Sequence, residues 1–180
     1  MDAITLLRED HRTVEKLFKQ FEKAGEKAHK TKEKLVEKII EELSVHAAIE
    51  EQVFYPAIRE ASEDMVLESL EEHHIVKWVL SELQGMSPKQ ERYDAKVTVL
   101  IELVRHHIKE EEKELFPDVR DAVSRKDLAE IGEMLEKAKS IAPTRPHPRL
   151  PDEPPGNIPG GLVAGVVDKA RSAVGAITPG

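Results

Sequence analysis

A phrase of eleven residues occurs twice in this chain, and the repeat restricts its fold more than any other feature. Residues 46–56 read H-A-A-I-E-E-Q-V-F-Y-P and residues 107–117 read H-I-K-E-E-E-K-E-L-F-P, at an offset of 61 residues. A second shared phrase, which begins at Asp10 and at Glu72, pairs His11 with His73 at an offset of 62. A repeat of this length indicates one structural unit used twice. Each unit carries a lone histidine followed by His-x-x-x-Glu.

Four segments of the chain have the periodicity of amphipathic helices. Apolar residues recur in them at steps of three and four, so each segment has one buried stripe. The pattern breaks at residues 25–30, 61–64 and 85–90, and short connections between long helices favour an all-α fold, an up-down-up-down four-helix bundle. Pro56 and Pro117 are expected to bend or end their helices. Six polar residues share the stripes, namely His11, His46, Glu50, His73, His107 and Glu111.

The connections place these six residues at one height in such a bundle. Residues equidistant from a turn lie at similar heights, because each helix rises by about 1.5 Å per residue. The midpoints between successive histidines of the set fall at residues 28–29, near 60 and at 90, inside or beside the three breaks. Each glutamate follows its histidine by one turn on the same face. The sequence therefore predicts a single polar layer across the helical core.

A buried layer of imidazoles and carboxylates needs a positive counter-charge, because an unpaired buried carboxylate is strongly destabilising. Lys and Arg are absent from the stripes, so we expect cations to balance the two glutamates. The chain has no cysteine, and any metal must therefore be held by nitrogen and oxygen. The ligand set is too large for tetrahedral zinc and too rich in nitrogen for calcium or magnesium. It suits two iron ions, with manganese as the alternative.

Composition divides the chain into a helical domain, residues 1–140, and a tail, residues 141–180. The last forty residues hold eight of the eleven prolines and six of the nine glycines. We expect an extended segment over 143–159 and a short amphipathic helix over 162–177, which could contact the bundle or a protein partner.

Net charge and hydropathy limit the partners and the location of the protein. With a net charge of −8 and no basic stripe, nucleic acid is not an expected partner. The sequence has no apolar run that is long enough for a membrane span and no pattern of a signal peptide. We therefore expect a cytoplasmic protein without firm membrane association.

These motifs resemble those of the hemerythrin-like proteins of the HHE cation-binding family. The resemblance covers residues 1–140, through E-D-H-R at 9–12, E-E-H-H-I-V-K at 71–77 and the two eleven-residue phrases. It implies an up-down four-helix bundle around a non-haem di-iron centre, bridged by two carboxylates and an oxo or hydroxo group. The metal ligands that it implies are His11, His46, Glu50, His73, His107 and Glu111.

The sequence departs from that of the oxygen-carrying hemerythrins at Lys77, where those proteins have a further histidine. The departure predicts a more open centre, which favours redox chemistry over reversible oxygen carriage. His74 and His106 are candidate replacements for the missing histidine, although a neighbouring residue points about 100 degrees round the helix from its ligand.

Three more residues near the motifs are candidates for a supporting role. Tyr55 follows Glu50 by five residues and could serve as a phenol donor or ligand, or as a core aromatic. Glu51 and Glu112 are expected behind the ligands or on the surface.

The predicted function is binding or reduction of dioxygen, hydrogen peroxide or nitric oxide in a stress response, with weak consumption of peroxide or nitric oxide at the centre. The alternative is a non-enzymatic sensor of iron or oxygen.

Overall fold

Residues 1–157 are described by a computed structural model of the chain, and this part contains helices but no β-strand. The predicted all-α fold is confirmed, and the connections between the long helices lie at the three predicted breaks. The helices are α1 (Ala3–Lys23), α2 (His29–Ile49), α3 (Tyr55–Ile58), α4 (Glu63–Gln84), α5 (Tyr93–Glu110), α6 (Phe116–Ala122) and α7 (Arg125–Lys139).

Both copies of the eleven-residue phrase contain a π-helical turn. The turns, Glu50–Phe54 and Glu111–Leu115, continue α2 and α5 and lead directly into α3 and α6. Pro56 and Pro117 follow in the first turn of the short helices, where a missing N–H is tolerated. The helices therefore do not end at the prolines. Each widens for one turn and continues, and π turns of this kind are frequent at functional sites.

The apolar core consists of two clusters with the polar layer between them. One cluster includes Leu7, Ile49 and Leu115, and the other includes Val14 and Leu43. His11 lies between Leu7 and Val14 in sequence, so the histidines fall where one cluster gives way to the other. The polar layer consequently crosses the middle of the helical body.

A fifth long helical segment, α7, follows the four predicted ones and corrects the count made from the sequence. It packs on α1 and on the π turn that follows α2. Ser124 caps it, because the side-chain oxygen accepts a hydrogen bond from the backbone N–H of Asp127 at 3.2 Å. A Cβ atom at Gly132 would lie 2.1 Å from the backbone oxygen of Met1, so α7 approaches the start of α1 closely.

The C-terminal segment (residues 141–157) follows α7 and contacts the helical body. Gln52 donates a hydrogen bond to the backbone oxygen of Asn157 at 3.0 Å, and Arg59 pairs with Glu153. The tail helix predicted over residues 162–177 lies outside the described residues. Among residues 1–157, none of the helices has the length and apolar character needed to cross a bilayer.

Candidate metal centre

The six predicted residues meet in one buried layer. One atom from each of His11, His46, Glu50 and Glu111 lies within 4.8 Å of the others, and the same holds for Glu50, His73 and His107. None of the six residues is more than 5% exposed. The two sets share Glu50, so the layer contains two adjacent groups of ligand atoms that are joined by a carboxylate.

The two carboxylates lie between the imidazole rings. Glu50 Oε2 is 3.2 Å from His46 Nε2 and 3.3 Å from His73 Nε2. Glu111 Oε2 is 3.2 Å from His11 Nε2 and 3.5 Å from His107 Nε2. Each glutamate thus faces one histidine from each set, which is the position that a bridging carboxylate needs.

Five buried atoms of the first set have no hydrogen-bond partner among the described residues. One is His46 Nδ1, which faces Asp10, and the other four are His11 Nε2, His46 Nε2, Glu50 Oε1 and Glu111 Oε2. An unsatisfied buried polar atom costs about 1–3 kcal/mol, and such atoms are rare in folded proteins. All four can donate a lone pair, so a cation in this layer would satisfy them together. The donor set fits a metal ion.

Each of the four histidines also has an outer carboxylate facing its Nδ1 atom. The pairs are His11–Glu112 at 2.9 Å, His46–Asp10 at 3.7 Å, His73–Glu51 at 3.1 Å and His107–Glu72 at 2.7 Å. The pairs of His11, His73 and His107 are at hydrogen-bond distance, whereas the contact between His46 and Asp10 is longer. A carboxylate at Nδ1 holds a proton there and leaves the lone pair of Nε2 for a metal.

The outer carboxylates form a ring that joins each helix to the next. Each is the sequence neighbour of an inner residue, and each contacts a histidine of a different helix. The ring runs from α1 to α2, from the first π turn to α4, from α4 to α5, and from the second π turn back to α1. Glu51 and Glu112 were expected in such a role. Asp10 and Glu72 were missed, although both occupy the same position in the repeat, directly before His11 and His73.

Burial and neighbouring charges shift the pKa values in opposite directions. Burial lowers the pKa of His11, but the adjacent carboxylates of Glu111 and Glu112 outweigh burial and raise this pKa to about 9. Burial lowers the pKa of His46 to about 4 and also lowers that of His73. Burial and the charge of Glu111 raise the pKa of Glu50 well above its usual range. In the absence of metal, His11 and Glu50 therefore retain protons that a cation has to displace.

Tyr55 reaches both ligand sets with its hydroxyl group. It donates a hydrogen bond to Glu111 Oε1 at 2.9 Å, and its oxygen lies 3.3 Å from His73 Nε2 and 3.4 Å from Glu50 Oε2. Burial and the two carboxylates raise the pKa of Tyr55 well above its usual value, so this phenol keeps its proton. It also lines a cavity of about 430 Å³ that reaches Arg59 and Glu60.

The histidines that were considered as replacements lie outside the layer. His74 is 39% exposed and faces Asp152 at 3.1 Å, while His106 is 59% exposed and faces Glu110 at 3.1 Å. Lys77, one turn after His73 on α4, is buried and pairs with Glu51 at 2.8 Å. This position therefore carries a fixed positive charge beside an outer carboxylate, which the helical pattern did not reveal.

The match to a protein family agrees with this geometry. The model of the hemerythrin HHE cation binding domain matches residues 2–119. The chain belongs to this family. Because the HHE domain is a cation-binding domain, a metal site is expected in it, and the His/Glu layer is the place where the structure provides one. Helix α7 and the C-terminal segment lie beyond the matched residues.

Individual relatives support the family and the fold. The chain is 31% identical over 134 residues to an uncharacterized hemerythrin-like protein of Schizosaccharomyces pombe, over 72% of this chain and 66% of the relative. It is 26% identical over 141 residues to a protein of Nostoc sp. named as a DNA nickase, over 78% of this chain and 40% of the relative. The chain thus spans less than two thirds of the length of either relative.

A solved structure has the same fold. The crystal structure of a hemerythrin HHE cation binding domain-containing protein from Mycobacterium kansasii matches with a TM-score of 0.66 and 23% sequence identity. The match covers 78% of this chain and 89% of that protein. At this level of identity the comparison establishes the shared fold alone.

Proposed function

We propose that the layer holds two iron ions and that this centre binds or reduces a small oxidant. His11 and His46 would ligate one ion and His73 and His107 the other, with Glu50 and Glu111 as bridges. The observation that carries the proposal is the pair of ligand sets joined by Glu50, together with the buried donor atoms of the first set that have no hydrogen-bond partner. The helices would form an up-down-up-down bundle, to which α7 is an addition.

The choice of metal follows from the donor atoms. Four imidazoles and two carboxylates offer nitrogen and oxygen without sulfur, which suits iron, with manganese as the alternative. Six residues shared between two ions leave coordination positions for an oxo or hydroxo bridge and for an external ligand. The ions would supply the redox chemistry, whereas the protein fixes the imidazoles, keeps the site buried and holds a proton on Tyr55.

The space beside the layer favours a diatomic molecule or peroxide as the ligand. A cavity of about 20 Å³ touches all four histidines, and its other walls are apolar residues that include Val14, Leu43 and Val76. A water molecule needs about 10–15 Å³ in such a measure, so this cavity admits one very small molecule. Dioxygen, nitric oxide and hydrogen peroxide are the candidates of this size. We place the protein in the cytoplasm, in a response to oxidative or nitrosative stress.

The second candidate function is a non-enzymatic sensor of iron or oxygen. The C-terminal segment favours it, because Asp152 contacts Lys77, which in turn pairs with the outer carboxylate Glu51. We treat residues 141–180 as a tail distinct from the domain of residues 1–140. In a sensor, metal occupancy would change how firmly this tail is held. Limited proteolysis of the full chain with and without iron tests this, since a sensor requires protection of the tail that depends on the metal.

The name of the relative from Nostoc raises nicking of DNA as a further activity. We do not extend it to this chain, because the chain covers 40% of that relative and has a net charge of −8, which opposes contact with phosphate groups. Incubation of the iron-loaded chain with supercoiled plasmid at low salt checks this choice. Open-circular product that disappears in the Glu50→Gln variant would overturn it.

The decisive experiment is metal analysis combined with absorption spectroscopy of the purified chain. We expect both iron sites to fill and a near-ultraviolet charge-transfer band to disappear on reduction. Exposure of the reduced protein to air, peroxide and nitric oxide in parallel then identifies the oxidant that restores or alters the band fastest. Failure to bind metal after reconstitution, or binding of a single zinc ion without a spectral response, would contradict the proposal.

A further inference from the structure

Asp152 lies outside the residues matched by the family model and contacts two side chains of α4. Its Oδ1 atom accepts a hydrogen bond from Lys77 Nζ, and its Oδ2 atom lies 3.1 Å from His74 Nδ1. His74 in turn accepts a hydrogen bond from Trp78 Nε1 at 3.2 Å. One carboxylate of the C-terminal segment therefore fixes two neighbouring side chains of α4.

Lys77 continues this chain of contacts to a proposed ligand. Its Nζ atom lies 2.8 Å from Glu51 Oε1 and 2.9 Å from Glu51 Oε2, and Glu51 Oε1 lies 3.1 Å from His73 Nδ1. Lys77 and Glu51 are both buried. The order Asp152, Lys77, Glu51, His73 is thus a continuous series of charged hydrogen bonds that ends on one imidazole.

The charges in this series determine the direction of its effect. Glu51 stabilises His73 as a metal ligand by accepting the Nδ1 hydrogen bond, and Lys77 competes for the same carboxylate. Because Asp152 is present, Lys77 interacts with two carboxylates instead of one. The Lys77–Glu51 interaction is therefore weaker, and Glu51 accepts a stronger hydrogen bond from His73. Without the charge of Asp152, the ammonium group would interact with Glu51 alone, and one more positive charge would remain uncompensated near the cations.

We propose that Asp152 is a positioning residue for the metal centre, acting through Lys77 and Glu51 on His73. The inference rests on the proposed function, since it concerns how firmly the ion at His73 and His107 would be held. It assigns a role to the C-terminal segment, because Asp152 supplies a second carboxylate to Lys77 beside that of Glu51. A lysine at this position needs a second anion if the first is to serve a histidine.

The test compares iron release from the full-length, iron-loaded wild type with that from three variants. Asp152→Asn removes the charge and keeps the shape, and Asp152→Glu restores the charge. Glu153→Gln is the matched control, because Glu153 lies on the same segment but pairs with the half-exposed Arg59. The measurements are the rate of iron transfer to a chelator and the absorption spectrum. We expect Asp152→Asn to release part of its iron about 10-fold faster and to shift the charge-transfer band, with the other two variants close to wild type.

Lys77→Gln provides a second test in the opposite direction. It removes the competitor for Glu51, so iron release should be slower than in the wild type, and adding Asp152→Asn to it should then have no effect. The comparison of Lys77→Gln with the double variant also tests the inference if Asp152→Asn alone fails to fold. Equal release from Asp152→Asn and wild type, or equal effects of Asp152→Asn and Glu153→Gln, would overturn the inference while leaving the di-iron proposal intact. A wild type that binds no iron would remove both.

Discussion

At the scale of single residues, Glu50 has the most demanding position in the protein. It is fully buried, it belongs to both ligand sets, and it lies close to the second buried carboxylate. Burial of a carboxylate without a partner is costly, and two such groups in one layer repel each other. Without a cation, a raised pKa on Glu50 reduces this repulsion, because the carboxyl group retains its proton more readily.

Glu50→Gln should therefore abolish most metal binding without unfolding the chain. The amide has the same shape but cannot bridge two cations, and its neutral charge removes repulsion within the metal-free layer. We expect elemental analysis to show loss of iron from both sets, and urea unfolding to show a metal-free variant at least as stable as the metal-free wild type.

Glu110→Gln is the matched control for this substitution. Glu110 precedes the inner residue Glu111 but pairs with the exposed His106, and it does not belong to either ligand set. It should keep the iron content of the wild type. Full iron occupancy in Glu50→Gln would be incompatible with a shared bridge at this position.

The shifted pKa values of His11 and His46 predict two limbs in the stability of the metal-free protein, which meet near pH 6.5, the usual pKa of histidine. The folded-state pKa of His11 is raised to about 9, so its stabilising contribution is complete below pH 6.5 and is lost as the pH rises towards 9. The folded-state pKa of His46 is lowered to about 4, so its contribution is complete above pH 6.5 and is lost as the pH falls towards 4. Each shift corresponds to about 3 kcal/mol at its full extent.

Urea unfolding of the metal-free chain at pH 4, 6.5 and 9 checks both limbs. His11→Asn should flatten the alkaline limb, because asparagine has no proton to lose in this range. Stability that increases steadily from pH 6.5 to 9 in the wild type would disagree with a protonated His11. For iron binding the sign is reversed, because a cation displaces the proton of His11, and binding should strengthen as the pH rises.

At the scale of helices, the repeat is visible in the π turns. Both turns begin at an inner glutamate, Glu50 or Glu111, and both end two residues before a proline. The widened turn lets two successive glutamates face different neighbours. The first glutamate lies in the polar layer, and the second contacts a histidine of an adjacent helix. The sequence repeat predicted that the two segments would be alike, but a period of three and four residues has no signature for a π turn.

Helix α7 gives a second prediction at this scale, through its close approach to α1. Gly132→Ala should destabilise the protein by about 1–3 kcal/mol, because the added methyl group meets backbone atoms of Met1, Asp2 and Ala3. Alanine favours a helix over glycine by about 1 kcal/mol, and the clash exceeds this gain. Thermal unfolding of the metal-free chain measures the difference.

Gly25→Ala is the control for this prediction. A Cβ atom at Gly25 meets nothing within 4 Å, so this substitution should leave the unfolding temperature unchanged or slightly raised. If both alanine variants unfolded at the same temperature, α7 would not be packed on the start of α1 as described.

At the scale of the whole molecule, the polar layer separates the two apolar clusters of the core. The layer joins α1, α2, α4 and α5 through the inner residues and again through the ring of outer carboxylates. Bound metal would act as a cross-link at the level where the core is least apolar. The stability of the fold and the occupancy of the centre are therefore coupled.

Removal of the metal should lower the unfolding temperature of the whole chain in one transition. A ligand that binds only the folded state adds about 4 kcal/mol when its free concentration is 1,000 times its dissociation constant. We expect calorimetry of the iron-loaded and chelator-treated proteins to show this difference in the wild type and little of it in Glu50→Gln. An unchanged transition after removal of iron would mean that the ions do not cross-link the core.

The helical body, the level of the polar layer and its six residues follow from the amino-acid sequence, because helical periodicity and loop length are local properties. The repeat also contains the positions of Asp10 and Glu72, although no local rule assigns them a partner. Three features depend on tertiary packing: which helix supplies each outer carboxylate, the burial of Lys77, and the contact of Asp152 with Lys77 from 75 residues away. Such contacts depend on how helices rotate and pack against one another. A pattern along one helix fixes the face that a residue occupies, but not what lies opposite.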